Sequence, residues 1–121
     1  MHQSSLDNML AFRRKYLEGK KNEPLLILDL GSLDVNGSYR GYFGVSPWTY
    51  RGIDMAAGKN VDTVLQDPYD WREIQSGSAD VVVSGQAFEH IEFLWLTMLE
   101  ITRVLKIGGL CCLIAPSGGP D

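Results

Sequence analysis

The segment LLILDLGSLDVNGSYRGYF, residues 25–43, joins a short apolar run to a carboxylate and a glycine loop. LLILDL (25–30) has no polar–apolar alternation, which is typical of a strand covered on both faces. Asp29 and Gly31 stand where this strand gives way to the loop, and α/β sheets receive ligands at such strand ends. The segment therefore predicts a buried strand followed by a binding loop.

Strand and helix patterns alternate along the rest of the chain. Further strands are predicted at YRGID (50–54), VDTVLQ (61–66), ADVVVSG (79–85) and GLCCLIAP (109–116). Helices are predicted at residues 6–18, SYRGYF (38–43) and 88–106, and a short one follows an opening turn in DPYDWREI (67–74). Ser5 is placed to cap the first helix, and Gly108 and Gly109 to end the last. The alternation predicts parallel β-α-β units in a Rossmann-like sheet.

Apolar spacing predicts one apolar side for each of the two long helices. The sets are Leu6, Met9, Leu10, Tyr16 and Leu17 in the first, and Phe88, Ile91, Trp95, Met98 and Leu105, with Thr102 between, in the last. Both sets keep the interval of three to four residues that places side chains on the same side of a helix.

The composition is that of one globular domain. The chain has 121 residues, of which 45% are hydrophobic and 21% charged, and its net charge is −4. We predict a single domain over residues 1–121, with an N-terminal helix (1–22) and a Rossmann-like core (25–117). The acidic balance argues against nucleic acid as the main partner. Because no run of about 18 apolar residues occurs, membrane insertion is not expected.

The cysteines and histidines predict reduced thiols and no metal site. Cys111 and Cys112 are adjacent in an apolar run, and neighbours on a strand point to opposite faces, so a disulfide between them is not expected. We interpret them as buried free thiols, which fits a cytoplasmic protein. His2 and His90 lack the Cys/His spacing of a zinc site.

Polar residues and a glycine collect at the predicted carboxyl ends of the strands: Asp29, Gly31, Asp54, Asp67 and Ser84. A dinucleotide is the first ligand to consider, because Asp54 would accept both hydroxyls of a ribose. The loop, however, lacks the G-x-G-x-x-G pattern that close approach of a pyrophosphate requires. It would also bring Asp29 and Asp34 near the phosphates, at a cost on the order of several kcal/mol.

The carboxylates that would repel a pyrophosphate would attract S-adenosylmethionine (SAM). It contains adenosine without phosphate, and it carries an ammonium and a sulfonium cation. Carboxylates beside a glycine loop give it charge complementarity, and the glycine backbone permits close contact. The residues therefore favour SAM over a dinucleotide. The chemistry would be methyl transfer, in which a nucleophile displaces the thioether.

Five motifs in order resemble those of class I SAM-dependent methyltransferases of the small-molecule methyltransferase-domain type. They are LLILDLGS, YRGIDM, LQDPYD, ADVVVSGQAFEHI and LTMLEITRVLKIGGLCCLIAPS. The resemblance covers nearly all of residues 25–117. It implies a mostly parallel sheet of about five strands in the order 3-2-1-4-5, flanked by helices. The usual D-x-G-x-G-x-G loop is replaced by DLGSLDVNGS, which is longer and lacks the middle glycine.

The resemblance also implies a binding role for each matched residue. Asp29 and Gly31, with Ser32 beside them, would lie at the methionine end of SAM. Asp54 would bind both ribose hydroxyls, and Met55 would pack on the adenine face. From the residues alone, Asp54 could instead be a strand-end turn residue and Met55 a packing residue.

The same resemblance gives roles to residues after the third and fourth strands. Asp67 would accept the adenine amino group, with Pro68 or Tyr69 beside the ring. Ser84 and Gly85 would line the pocket near the sulfonium. Asp67 before a proline is also typical of a turn cap, which is the alternative for that residue.

The resemblance leaves the acceptor and the catalytic group open. His90 is a weak candidate for a general base, because the matching position in the family mainly positions and packs. By analogy with relatives encoded near surface-polysaccharide genes, the small-molecule acceptor would be a sugar or a surface-polysaccharide intermediate. The alternative is a non-catalytic, degenerate methyltransferase fold that acts as a binding or interaction module.

The family's sheet normally ends in an antiparallel hairpin that this sequence does not contain. We therefore expect a C-terminally truncated domain in which GLCCLIAP is an exposed apolar edge strand. Such an edge favours association, and a homodimer through this strand is predicted.

Overall fold

A computed structural model describes residues 3–34, 37–85 and 91–114 of the chain. Its five strands form one parallel sheet in the order β3-β2-β1-β4-β5. The strands are β1 (Leu26–Leu30), β2 (Thr49–Asp54), β3 (Thr63–Val64), β4 (Ala79–Ser84) and β5 (Leu105–Leu113). The predicted Rossmann-like fold and strand order are confirmed.

Three α-helices flank the sheet in the described part of the chain. They are α1 (Gln3–Phe12), α2 (Arg40–Phe43) and α3 (Leu94–Val104). The first continues as a π-helical stretch, Arg13–Leu17, and a 3-10 turn, Glu18–Lys20. Ser5 lies inside α1 rather than at its cap, and it is buried with its hydroxyl bonded to that of Tyr39.

Each face of the sheet has its own apolar core. The core under α3 contains Leu28, Leu30, Ile53, Leu65, Trp71, Ile74, Val82, Ile101 and Val104. The core under the N-terminal helical segment and α2 contains Met9, Leu17, Ile27, Tyr39, Phe43, Trp48, Tyr50, Val81 and Val83. Burial on both faces explains why β1 and β4 read as continuous apolar runs.

The predicted helix over residues 67–74 is wrong, because this segment forms turns. Asp67 Oδ1 accepts the N–H of Tyr69, and the Trp71 indole donates to the carbonyl of Pro68. Glu100 on α3 accepts the N–H of Trp71. These contacts satisfy the local backbone without a helical ladder.

The predicted apolar side of the last helix is wrong at its centre, although Ile91 and Leu105 do pack against the core, and Phe88 lies outside the described residues. Thr97, Ile101 and Val104 face the core, whereas Trp95 is 62% exposed and Met98 37% exposed. Because LWLTMLEITRV is apolar around most of its circumference, the interval of three to four residues fits more than one side. Packing of Ile101 and Val104 on the sheet decides the orientation.

The last strand begins earlier than predicted. α3 ends at Val104 and β5 starts at Leu105, so Gly108 and Gly109 lie inside the strand rather than at a helix stop. The register shifts there, since Ala79 pairs with Leu105 and Val81 with Leu110. Gly108, at this irregularity in the pairing, has a φ of 82°, a backbone conformation that glycine adopts readily.

β5 lies at one edge of the sheet, as expected. Its two cysteines are free, but Cys111 is exposed and Cys112 only half-buried, so the prediction that both are buried is wrong. Dimerisation through this strand stays a prediction. Within the described ranges no helix is long and apolar enough to cross a membrane.

Candidate functional site

The predicted site residues lie along the carboxyl edge of the sheet. From β1 the chain proceeds to β2 and β3 on one side, and it adds β4 and β5 on the other. The strand order therefore reverses between β1 and β4, where α/β sheets bind ligands. A separate surface hollow of about 520 Å³ is lined by Asp7, Leu10, Ala11, Arg14 and Lys15. Because the hollow lies on the N-terminal helical segment, we place the site at the strand ends instead.

The loop after β1 runs along the end of β2. The N–H groups of Gly31 and Ser32 both donate to the carbonyl of Ile53, at 2.9 and 3.2 Å. Gly31 has a φ of 77°, a backbone conformation that side chains disfavour. The next residue, Leu33, donates its N–H to Asp54 Oδ2 at 3.0 Å. The structure thus brings Gly31, Ser32 and Asp54 together.

Asp54 presents a fixed carboxylate at the end of β2. Oδ2 accepts the Leu33 N–H, and Oδ1 accepts the Ala56 N–H at 3.1 Å. A carboxylate oxygen has two acceptor sites, so each oxygen retains one for a ligand. Met55, the next residue, is 45% exposed. An oriented carboxylate beside an exposed apolar side chain suits a ribose with its attached base.

Asp29 is more deeply buried than its place at a strand end suggests. Its exposed fraction is 3%, and the Tyr50 hydroxyl donates to its Oδ2. Burial raises the pKa of Asp29 to about 7, and the Tyr50 hydrogen bond only partly offsets this. Asp29 therefore exchanges between neutral and ionised forms near neutral pH.

The stability of the fold should decrease as pH rises from the unfolded pKa of Asp29 to its folded pKa. In the unfolded chain its pKa returns to near 3.8, whereas in the fold it is about 7. Between these values the folded protein holds a proton that the unfolded chain has lost. The free energy of unfolding therefore falls as pH rises through this window, and this contribution is constant above it.

The variant Asp29→Asn tests this pH dependence. Its amide oxygen still accepts from Tyr50, but the side chain does not ionise. We expect urea unfolding at pH 5, 6.5 and 8 to give a flatter pH profile than the parent, with the variant the more stable protein at pH 8. Parallel profiles for the two proteins would contradict the assignment.

The end of β4 packs against the N-terminal half of the chain. The Ser84 hydroxyl is fully buried and donates to the carbonyl of Leu30 at 2.9 Å. A Cβ built on Gly85 would lie 1.8 Å from the Tyr39 hydroxyl, which bonds Ser5. Burial raises the pKa of Tyr39 to about 12, so this hydroxyl stays neutral. Contact of Ser84 or Gly85 with a cofactor stays a prediction.

The segment after β3 lies at the far end of the same edge. Asp67 is exposed, and its Oδ1 already accepts the Tyr69 N–H at 2.8 Å, so it does cap a turn. Oδ1 retains a second acceptor site, and contact of Asp67 with an adenine amino group stays a prediction. The Tyr69 hydroxyl accepts the N–H groups of Glu92 and Phe93 just before α3. His90 lies outside the described residues.

Sequence reasoning missed the polar side chains that hold this edge together. Tyr50, Asn60, Arg40 and Asp62 form a connected network beside Asp29. One local signal existed, because Asn60 follows a glycine–lysine pair in a loop, and asparagine tolerates the left-handed conformation that it adopts, with a φ of 69°. Its partners lie 10 to 28 residues away.

A family comparison agrees with this geometry. The sequence model of the family described as "Methyltransferase domain" matches residues 36–113, which is more than half of the 121 residues. The chain belongs to this family. Membership confirms the predicted family and indicates SAM as its cofactor. No curated protein matches the chain in sequence.

Two solved structures share the fold of this methyltransferase domain. One, described as a SAM-dependent methyltransferase from Methanococcus maripaludis, is 18% identical with a TM-score of 0.52, and the match covers 88% of this chain and 61% of that one. The other, the trans-methyltransferase CalH in complex with SAH, is 18% identical with a TM-score of 0.52, and the match covers 74% and 31%. At such identity the likeness establishes the fold alone. The chain spans less than two thirds of the length of either protein.

Proposed function

We propose that this chain binds SAM along the carboxyl edge of its sheet and supplies the cofactor-binding part of a methyltransferase. Residues 25–117 would form this unit, with the N-terminal helical segment packed on one face. The observation that carries the proposal is Asp54, whose carboxylate is held by two backbone N–H groups and keeps an acceptor site on each oxygen. This arrangement suits the two hydroxyls of a ribose.

Charge favours SAM over a dinucleotide at this edge. Asp29 and Asp54 sit at neighbouring strand ends, and the charge of Asp54 contributes to the raised pKa of Asp29. A cationic ligand relieves this repulsion, whereas a pyrophosphate adds to it. Asp34 is engaged elsewhere, since it accepts the Gly37 N–H and lies 3.5 Å from Lys59 Nζ. Asp29 and Asp54 are therefore the carboxylates that would lie near the ribose and the methionine end of the cofactor.

The protein's part in methyl transfer would be binding and alignment. SAM supplies a methyl group on a sulfonium, and transfer to a nucleophilic acceptor releases the neutral thioether. Asp54 would hold the ribose, Met55 would pack on the adenine, and Asp67 would accept its amino group. Asp29, Gly31 and Ser32 would define the methionine end. The acceptor is a small molecule, and we propose a sugar or a surface-polysaccharide intermediate.

A calorimetric titration with SAM, SAH and NAD tests the cofactor. We expect SAM and SAH to bind at one site, and NAD to bind at least about tenfold more weakly because of its phosphates. NAD binding as tight as that of SAM would restore the dinucleotide interpretation. Binding of none of the three would favour a non-catalytic interaction module. Transfer of a radiolabelled methyl group to pools of sugars then tests the acceptor class.

A further inference from the structure

The structure places the uncharged side chain of Asn60 at the centre of the polar network beside the proposed cofactor site. We propose that Asn60 is a positioning residue for SAM, because it fixes both the loop after β1 and the Tyr50 hydroxyl that faces Asp29. This inference rests on the proposed function and assigns a role to a residue in the loop between β2 and β3.

Asn60 and Ser32 are joined by two hydrogen bonds. The carbonyl of Asn60 accepts from Ser32 Oγ at 2.9 Å, and Asn60 Nδ2 donates to the carbonyl of Ser32 at 2.9 Å. Ser32 is 4% exposed, so these bonds form away from water. Since Ser32 follows Gly31 directly, these two hydrogen bonds fix the first turn of the loop that would contact the methionine end of SAM.

The amide of Asn60 also sets the hydrogen bonding around Asp29. Nδ2 donates to the Tyr50 hydroxyl at 2.8 Å, and that hydroxyl donates to Asp29. Oδ1 accepts from Arg40 Nε at 2.6 Å. Because Arg40 only donates, the oxygen must face it and the NH₂ group must face Ser32 and Tyr50. An aspartate at position 60 would lose both of the donated bonds.

The charged and titratable groups around Asp29 come from three places in the fold. Tyr50 and Asp54 belong to β2, Arg40 belongs to α2, and Tyr39 precedes α2. The Arg40 guanidinium lies 4.4 Å from the centre of the Tyr50 ring and bonds Asp62 Oδ2 at 2.7 Å. Asn60 joins Arg40 to Tyr50 without adding a charge. A carboxylate in its place would disfavour ionisation of Asp29.

The test is SAM affinity as a function of pH for the parent, Asn60→Asp and Tyr50→Phe. Titrations run from pH 5.5 to 7.5. The α-amino group of SAM, with a pKa of about 7.7–8.0, loses part of its proton near the top of this range, but this affects every variant equally. For the parent we expect affinity to rise with pH as Asp29 ionises. For Asn60→Asp we expect affinity about tenfold or more lower at pH 7.5, with the rise displaced to higher pH.

Tyr50→Phe keeps the Ser32 contacts but removes the hydroxyl that donates to Asp29, so it should displace the rise in the same direction. Asn22→Asp, an exposed position with the same change of charge, serves as the control and should match the parent.

If Asn60→Asp and the parent have the same affinity and pH profile, Asn60 is not a positioning residue. An equal loss at every pH would reduce Asn60 to a structural role and overturn the proposal. A parent that binds no SAM would refute the proposed function itself.

Discussion

Replacing Asp54 with alanine should reduce SAM affinity by about 30- to 1000-fold, or about 2–4 kcal/mol. The physical reason is the loss of both carboxylate oxygens, each of which has one acceptor site that the backbone does not use. A ribose would then have no charged acceptor for its hydroxyls at the end of β2. Isothermal titration of SAM into the parent and the variant measures the difference.

Three comparisons separate this effect from a general loss of structure. Asp7→Ala removes the same charge from an exposed position on α1 and should bind SAM like the parent. Asp54→Asn keeps one acceptor oxygen and should bind with intermediate affinity. Thermal unfolding without ligand reports the cost of the two lost backbone contacts, which we expect to be about 1 kcal/mol each. Parent-like affinity in Asp54→Ala would place the ribose elsewhere.

The predictable parts of the fold are the strands that are buried on both faces. β1 and β4 are covered on both faces, so their apolar runs identify them without any knowledge of partners. The side of α3 that is buried was not predictable in this way, because its sequence is apolar around most of its circumference and the sheet selects Ile101 and Val104. Local pattern identifies an element, whereas long-range packing orients it.

The location of the site was predictable from the sequence, but the contacts of its side chains were not. Parallel strands end at one edge, so the predicted strand ends place Asp29, Gly31 and Asp54 close together. What the sequence did not disclose is how each side chain is engaged. Burial of Asp29 against Tyr50, and the bonds from Asn60 to Ser32, depend on residues distant along the chain. Those contacts decide the protonation of Asp29 and the position of the loop after β1, which composition and spacing do not specify.

The close approach that holds this network together leaves no room for a side chain at Gly52. Gly52 pairs with Asp29 in the register of β1 and β2. A Cβ built on it would lie 2.1 Å from the carbonyl oxygen of Asn60 and 2.5 Å from Ser32 Oγ. Because the nearest atom belongs to the backbone, shortening Ser32 would not relieve the clash. The absence of a side chain at residue 52 is thus what allows Asn60 to reach Ser32.

We therefore expect Gly52→Ala to destabilise the fold by about 3 kcal/mol, the upper end of the usual cost of overpacking. For a domain of this size that lowers the midpoint of thermal unfolding by roughly 10 °C or more. Gly41→Ala is the matched control, because no atom lies within 4 Å of its built Cβ on α2, and it should be neutral or slightly stabilising. If Gly52→Ala unfolded at the parent's temperature, the loop between β2 and β3 would have to move away from Ser32 without cost. The bonds from Asn60 would then contribute little to the stability of the site.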